Sequence, residues 1–288
     1  MLWFLFALGS AIFSALSALT EKKSLLKVHA MEFSCALAIL NFLFSLPLIF
    51  LADFNIPLFV LAVMYASSII ATVAFLFIAK AVRHLEVSLV SPLLNLNPAI
   101  LATLAYFLLN ERITHAQITG IFLIMAGAYI VEINWKKHGI LEPVKSMFHS
   151  KHTLFVVFSA FLYALSSICD KFVLTHISPF TYLLVIHFFI AVNFTILISV
   201  FYGGFKDISY GYRHAGKWIF MMAFFTLTYR LLQAWAISLT LVSLVVPIKR
   251  LSTLFATLAG GKLFHEEGTK KRAIACIIML IGAYLIIA

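Results

Sequence analysis

Two apolar stretches joined by one short polar turn make up residues 86 to 133, EVSLVSPLLNLNPAILATLAYFLLNERITHAQITGIFLIMAGAYIVEI. Each stretch has about 20 residues, the length that a helix needs to cross the hydrocarbon core of a bilayer. The turn between them, from Asn110 to Ile113, leaves room only for a tight connection. This segment therefore predicts two membrane-spanning helices that form a hairpin.

The rest of the chain has the same character. Of its 288 residues, 63% are hydrophobic and 11% are charged, and the mean hydropathy is +1.06, whereas soluble domains are about 45–50% apolar and about 25% charged. An all-α integral membrane protein in contact with the lipid bilayer is therefore expected. The apolar windows predict ten transmembrane helices, near residues 2–26, 30–52, 56–79, 86–109, 114–133, 153–174, 179–203, 217–240, 242–264 and 270–287.

The chain repeats itself. Adding 155 to the numbers of Ser88, Pro92, Glu111, Gly127 and Tyr129 gives Ser243, Pro247, Glu266, Gly282 and Tyr284. An offset of 149 near the start of each half carries Lys22 onto Lys171 and places Glu21 opposite Asp170. The sequence therefore predicts a first repeat at 1–134 with helices 1–5, a linker at 135–152, and a second repeat at 153–288 with helices 6–10.

Each predicted repeat has five helices, an odd number, so the second copy must enter the bilayer from the opposite side. That arrangement is an inverted repeat, which many secondary transporters share, with the substrate site near the midplane between the repeats. The expected fold is thus ten transmembrane helices in two inverted five-helix repeats.

The quoted segment resembles a known family through Pro92, Asn97, Pro98, the LLNERIT turn at 108–114, Gln117, Gly120 and Gly127. It is similar to the EamA domain of the drug/metabolite transporter superfamily, and the resemblance covers the whole chain as two repeats. The second copy departs at Gly268 and Ala275. The resemblance implies ten helices and a central cavity with alternating access. It names no substrate, because the superfamily moves amino acids, sugars, nucleotide sugars, phosphates and drugs.

The formal net charge of +10 and the isoelectric point of about 9.6 do not indicate a nucleic-acid binder, because the basic residues lie between apolar spans. Most of the 21 basic residues lie in or beside the odd-numbered connections, and only Arg112 and Lys171 lie beside the even-numbered ones. Because cytoplasmic loops carry the excess of Lys and Arg, a multi-pass protein of the cell membrane with both termini outside the cytoplasm is predicted. The resemblance implies the opposite orientation.

Three cations, Arg230, Lys249 and Arg250, lie well inside the predicted eighth and ninth spans. A basic group at the centre of a span costs at least about 2.5–3.5 kcal/mol, so it faces a cavity or a partner charge. The acidic residues nearest the interior are Glu21 and Asp170. One hypothesis is therefore that the missing partner is an anionic substrate. The alternative is that Asp170 pairs with Arg250 or Arg230 and the other cations extend to the interface.

A second resemblance concerns paired cations. The Lys-Lys pair late in the first helix and the Lys-Arg pair in the ninth helix are similar to pairs that hold phosphate in sugar-phosphate translocators. Those residues are Lys22, Lys23, Lys249 and Arg250. The full predicted substrate-binding set is Lys249, Arg250, Arg230, Asn95, Asn97, Tyr163, Tyr229, Trp235, Asp170 and Lys22. The prolines Pro92 and Pro247 interrupt helices at equivalent places and are predicted to act in gating.

The predicted function is secondary transport of a small polar, anionic metabolite by alternating access. Alternatives are an exporter of amino acids or hydrophobic drugs, a lipid-headgroup carrier, and a membrane enzyme that acts on a lipid phosphate, for which no catalytic cluster is found. No cofactor or metal site is predicted, since the three cysteines show no CxxC spacing. Proton coupling is not predicted, because no Asp or Glu lies at the centre of a span. Substrate identity, direction and oligomeric state stay open.

Overall fold

The computed structural model describes residues 1–25, 28–82, 84–85, 87–132, 150–256 and 269–288, and these residues are mostly helical with no strand among them. A 3-10 turn at Leu46–Phe50 continues the second helix, where Pro47 lacks the N–H group of an α-helical bond. The helices are α1 (Leu2–Leu25), α2 (Ala30–Ser45), α3 (Leu58–Val82), α4 (Val87–Leu94), α5 (Asn97–Leu108), α6 (His115–Glu132), α7 (Lys151–Leu174), α8 (Pro179–Phe201), α9 (Phe205–Leu239), α10 (Val242–Lys249), α11 (251–256) and α12 (Thr269–Ile287).

Seven helices within the described ranges are long and apolar enough to cross a membrane, and Pro92–Leu108 and Ile274–Ile287 are shorter apolar segments. The fold is therefore that of an all-helical membrane protein, as predicted. Two of the ten predicted spans are interrupted: the span at 86–109 is divided into α4 and α5, and the span at 242–264 breaks after α10. The predicted span at 217–240 begins earlier, since α9 has 35 residues, about 52 Å, and exceeds the hydrocarbon core.

The chain forms two compact units. Unit 1 comprises Met1–Thr72 and Cys169–Leu239, and unit 2 comprises Val73–Ile168 and Thr240–Ala288. Each unit therefore combines segments from both predicted halves of the sequence.

In unit 1, α1 packs along α9, and α2 packs between α9 and α8. Small side chains of α1 form the contact face, with Ala7, Ala11 and Ala15 almost fully buried. Small residues let two helix backbones approach closely, and van der Waals contact then holds membrane helices together. The hydroxyl groups of Ser17 and Thr226 lie 3.1 Å apart and join α1 to α9. The opposite face of α1 is apolar and exposed, as expected for a surface in lipid.

In unit 2, α6 and α12 cross at glycines. A Cβ atom added to Gly120 would lie 2.5 Å from the carbonyl oxygen of Gly282, and one added to Gly127 would lie 2.9 Å from the carbonyl oxygen of Ala275. Only glycine permits this approach. As α6 runs from 120 to 127, α12 runs from 282 to 275, so the two helices are antiparallel.

The LLNERIT turn of unit 2 links α5 to α6 through three local devices. Asn110 has a φ of 54°, in the left-handed region that asparagine tolerates. This conformation lets the backbone N–H of Glu111 donate to the carbonyl of Ala105 and close the end of α5. Thr114 and Gln117 then form a capping box, each backbone N–H donating to the other side chain, which begins α6.

Glu111 reaches from this turn to the start of α10. Its carboxylate is buried and accepts hydrogen bonds from the backbone N–H groups of Val242, at 2.8 Å, and Ser243, at 3.1 Å. It also accepts one from the Ser243 hydroxyl. A negative charge at a helix N-terminus satisfies N–H groups that lack helical partners and opposes the helix dipole. Glu111 therefore stabilises the place where α10 begins.

Candidate functional site

Two membrane helices of unit 2 are broken at equivalent positions. Past Pro92, the backbone N–H of Asn95 donates to the carbonyl of Pro92, at 3.3 Å, and α4 ends. Past Pro247, the backbone N–H of Arg250 donates to the carbonyl of Pro247, at 2.9 Å, and α10 ends. Both prolines are buried. Both helices are thus interrupted just past a proline, and the predicted gating role stays a prediction.

Pro98 explains why a backbone carbonyl at the first break lacks its usual helical partner. In a continuous helix the Leu94 carbonyl would accept from the backbone N–H of residue 98, but Pro98 has none. The guanidinium of Arg250 supplies the missing donor, since its Nη2 lies 3.0 Å from the Leu94 oxygen. A cation at the last carbonyls of a helix also complements the negative end of the helix dipole. Arg250 lies in the break after α10 and therefore satisfies the last carbonyl of α4.

The carboxylate of Glu132 lies at the same place. Its Oε2 accepts a hydrogen bond from Nδ2 of Asn95, at 2.7 Å, and its Oε1 accepts one from Oγ1 of Thr253, at 3.3 Å. The charges of Glu132 and Arg250 act on each other, although no hydrogen bond joins them among the contacts of the described residues. We call Asn95, Glu132, Arg250 and Thr253 the break cluster.

Two residues of the break cluster retain unused hydrogen-bonding capacity. Asn95 is 1% exposed, and its Oδ1 accepts no hydrogen bond from the described residues. Arg250 is partly exposed and has five N–H donors. Within the described part of the chain, only the bond to Leu94 uses one of them. The cluster can therefore still accept one hydrogen bond at Asn95 and donate several at Arg250.

A second polar cluster lies in unit 1. The Asp170 carboxylate accepts a hydrogen bond from the Ser67 hydroxyl, at 2.8 Å, and a further hydrogen bond joins it to Tyr182. Arg230 interacts electrostatically with Asp170 and is hydrogen-bonded to Tyr229. Of the two partners predicted for Asp170, the structure therefore brings Arg230 to it within unit 1.

His187 lies close enough to this second cluster to feel the charge of Arg230. The side chain is 2% exposed, and neither ring nitrogen has a hydrogen-bond partner among the described residues. This environment fits an imidazole packed in a helix bundle.

Other predicted site residues occupy packing positions. Asn97 is buried and donates from Nδ2 to the Ala160 carbonyl, at 2.9 Å, which ties α5 to α7. Trp235 packs between Phe6 and Phe180, with ring centroids 6.3 and 5.7 Å away. Tyr163 is partly buried on α7. Their predicted part in substrate binding stays a prediction.

Two other cations of the predicted substrate-binding set are Lys249 and Lys22. Lys249 is partly buried as the last residue of α10. The side chain of Lys22 lies outside the described residues. The pseudo-equivalent Lys171 donates from Nζ to the Ile237 carbonyl in unit 1, at 2.7 Å. Within the described part of the chain, no three His, Cys, Asp or Glu residues come together as a metal site would require.

Sequence reasoning missed Glu132. The sequence indicates Glu21 and Asp170 as the acidic residues nearest the interior, because Glu132 stands at the end of a predicted span, where charged residues usually mark the boundary. One signal was present: the 155-residue offset carries Glu132 onto Ile287, so a carboxylate replaces an apolar residue of the other repeat.

Comparisons with known proteins identify a transporter family and a similar fold. The model of the EamA-like transporter family matches residues 1–133 and 151–288. A solved structure titled "Crystal structure of protein" superposes with a TM-score of 0.73 at 15% sequence identity, and the match covers 99% of this chain and 96% of that one. At this identity the similarity shows the fold alone. No curated protein matches the chain.

Proposed function

Because the chain belongs to the EamA-like transporter family, a group of multi-pass membrane transporters of the drug/metabolite superfamily, we propose that it is a secondary transporter of a small polar anion and that Arg250 contacts the negative group of the substrate. The observation that carries this proposal is the state of the Arg250 guanidinium. It directly follows the last residue of α10 and belongs to a residue that is only partly buried. Within the described residues it makes one hydrogen bond, to the Leu94 carbonyl. A guanidinium fork suits carboxylate or phosphate oxygens, which accept two parallel hydrogen bonds.

We further propose that the fold is an inverted repeat of five plus five spans, in which α4 with α5 and α10 with α11 each make one span. The antiparallel crossing of α6 and α12 supports this proposal. The 155-residue offset carries Gly127 onto Gly282 and Gly120 onto Ala275. The contact of Gly120 with Gly282 is therefore the counterpart of the contact of Ala275 with Gly127, as a two-fold axis requires. Since the helices are antiparallel, this axis is perpendicular to them and lies in the membrane plane.

Discontinuous helices support alternating access around the break cluster. Secondary transporters bind substrate where spans are interrupted, because the freed backbone groups and helix ends can face a polar cavity. Pro92 and Pro247 remove the hydrogen bonds that would stiffen these places. We therefore assign them to gating, with Asn95 and Arg250, which follow them at equivalent positions, as substrate contacts.

The charge distribution supports an orientation with both termini outside the cytoplasm. The basic residues concentrate at the odd-numbered connections, which would then face the cytoplasm. An even number of spans places the two termini on the same side.

A zwitterionic amino acid is the second candidate substrate. The break cluster offers a cation at Arg250, a carboxylate at Glu132 and an unused acceptor at Asn95. An α-carboxylate could bind the first, and an α-ammonium group the other two. This arrangement distinguishes the candidates, because a simple anion needs Arg250 only, whereas an amino acid needs Glu132 in its charged form as well.

Thermal unfolding of the purified protein tests the proposal. Phosphates, sulfonates, carboxylates, amino acids and amines would be added in turn, since a bound ligand stabilises the folded state by mass action. We expect anions to raise the unfolding temperature of the wild type and not of Arg250→Ala, with partial recovery in Arg250→Lys. The same anions should be transported into proteoliposomes by the wild type, in part by Arg250→Lys, and not by Arg250→Ala.

Two further variants guard against misfolding. Arg213→Ala removes an exposed cation from α9 and should leave anion stabilisation unchanged. The double variant Arg250→Met with Glu132→Gln removes both charges of the break cluster, so it leaves no unpaired carboxylate. Normal anion stabilisation in that double variant, or stabilisation by amines alone, would overturn the proposal.

A further inference from the structure

The break cluster holds a carboxylate and an unused amide oxygen that anion binding by Arg250 does not require. Glu132 accepts from Nδ2 of Asn95 and from Oγ1 of Thr253, and its charge acts on Arg250. A substrate anion at Arg250 would therefore enter the field of a second negative charge. On the basis of the proposed function, we propose that Glu132 binds a proton whenever Arg250 binds the anion, so that the protein carries the anion together with one proton.

Repulsion gives the coupling its sign. While Glu132 is ionised, it offsets the positive charge of Arg250, and a second anion beside it is disfavoured. When Glu132 takes up a proton from water, Arg250 becomes the uncompensated charge of the cluster and attracts the anion. By reciprocity, the bound anion raises the affinity of Glu132 for its proton by the same factor. Each ligand thus favours the binding of the other.

Asn95 is suited to both protonation states of Glu132. With Glu132 ionised, Nδ2 of Asn95 donates to Oε2 at 2.7 Å while Oδ1 has no donor among the described residues. A protonated carboxyl group becomes a donor and needs an acceptor. Rotation of the Asn95 amide by about 180° exchanges Nδ2 for Oδ1 and supplies that acceptor at the same place.

Charged and titratable groups of several elements lie around Glu132. Helices α4, α5, α10 and α12 pack against α6, and Thr253 of α11 contacts Glu132. In the described part of the chain, the charge of Arg250 acts on Glu132. The other groups with described side chains are His115, Tyr129, Tyr106, Lys249, Cys276 and Tyr284.

Proton balance follows from the scheme. One proton moves from water on the entry side to an oxygen of Glu132, and it is released to water on the exit side after the anion leaves Arg250. For a monovalent anion the net charge moved is zero, so transport would not respond to membrane voltage. A divalent anion would carry one net negative charge.

The test uses sulfate and methanesulfonate, because neither anion changes its charge between about pH 6 and pH 8 and any pH dependence then belongs to the protein. Apparent Kd values are measured by thermal unfolding of the purified full chain, with sodium chloride at equal ionic strength as the reference. For the wild type we expect the Kd to rise about tenfold per pH unit above the pKa of Glu132. Glu132→Gln should bind at least about tenfold more tightly at pH 8 and show a flat profile.

A pH-indicator dye in weakly buffered solution provides the second readout. Addition of methanesulfonate to the wild type should remove about one proton from solution per anion bound, and Glu132→Gln should remove none. Glu32→Gln is the matched control, because Glu32 accepts a hydrogen bond at the exposed start of α2 and glutamine serves equally in that capping box. It should behave as the wild type.

The outcomes separate the two proposals. Anion binding that depends on Arg250 but has the same pH profile in the wild type and Glu132→Gln would overturn proton coupling and leave the anion site standing. Absence of binding to both anions in the wild type and Glu132→Gln would overturn the anion site itself. Loss of amino acid binding in Glu132→Gln without any sulfonate binding would favour the zwitterion.

Discussion

Replacing Glu111 by alanine should destabilise the protein through the start of α10. The carboxylate accepts from two backbone N–H groups, of Val242 at 2.8 Å and of Ser243 at 3.1 Å, at a site where Glu111 is 5% exposed. A hydrogen bond to a charged group contributes about 1.5–3 kcal/mol, and both N–H groups would lose their partner, which sums to about 3–6 kcal/mol. Hydrogen bonds between membrane helices tend to measure lower, so we expect about 3 kcal/mol. The apparent unfolding temperature should fall by about 6–12 °C.

Thermal unfolding in detergent measures this shift, with two graded variants beside it. Ser243→Ala removes the hydroxyl bond and leaves both backbone bonds, so its cost should be about 1 kcal/mol. Glu111→Gln keeps one acceptor oxygen but turns an NH₂ group toward an N–H, and it should fall between the two. If Glu111→Ala unfolds within about 1 °C of the wild type, or if Ser243→Ala costs as much, the carboxylate does not hold the start of α10.

Two further changes test the packing and the orientation. Gly120→Ala should lower stability by about 1–3 kcal/mol because its Cβ would lie 2.5 Å from the Gly282 oxygen, whereas Gly216→Ala, whose Cβ meets nothing within 4 Å, should be neutral or stabilising by up to about 1 kcal/mol; equal unfolding temperatures for the two variants would contradict the close crossing of α6 and α12. A fluorescent reporter that folds only in the cytoplasm, fused to Ala288, should leave cells dark, and bright cells would place the C-terminus in the cytoplasm.

Hydropathy predicts a membrane fold well because the bilayer imposes one length and one composition on every span. The limits of α1, α6 and α8 lie within a few residues of the predicted spans for this reason. The start of α9 was not predicted, because residues 205–216 are polar and leave the hydrocarbon region, where hydropathy carries no information about helix. The family match was also accessible from the sequence, since the LLNERIT turn encodes its own geometry in Asn110, Thr114 and Gln117.

The break cluster shows what the sequence could not give. Pro92 and Pro247 indicate that the fourth and ninth spans are interrupted. They do not indicate which side chains bind the backbone groups that are left without a helical partner. The Leu94 carbonyl has no helical donor, because Pro98 lacks an N–H group. The donor that replaces it comes from Arg250, 156 positions away in the sequence. Glu132 lies 37 positions from the Asn95 that it contacts. Such pairings arise from packing between helices, and no local pattern encodes them.

Positions at which the two repeats agree and positions at which they differ serve different purposes. Where the two repeats agree, as at Gly127 and Gly282, the residues serve the crossing of α6 and α12. Where they differ, a polar site results: Asn95 stands opposite Arg250 in the repeat, and Glu132 opposite Ile287. A repeat with two arginines at the breaks would place like charges at equivalent positions, and one with two asparagines would have no charge to offer a substrate. One cation, one amide and one carboxylate instead give a cluster whose net charge depends on a single proton at Glu132, and this dependence is what the Glu132→Gln measurements probe.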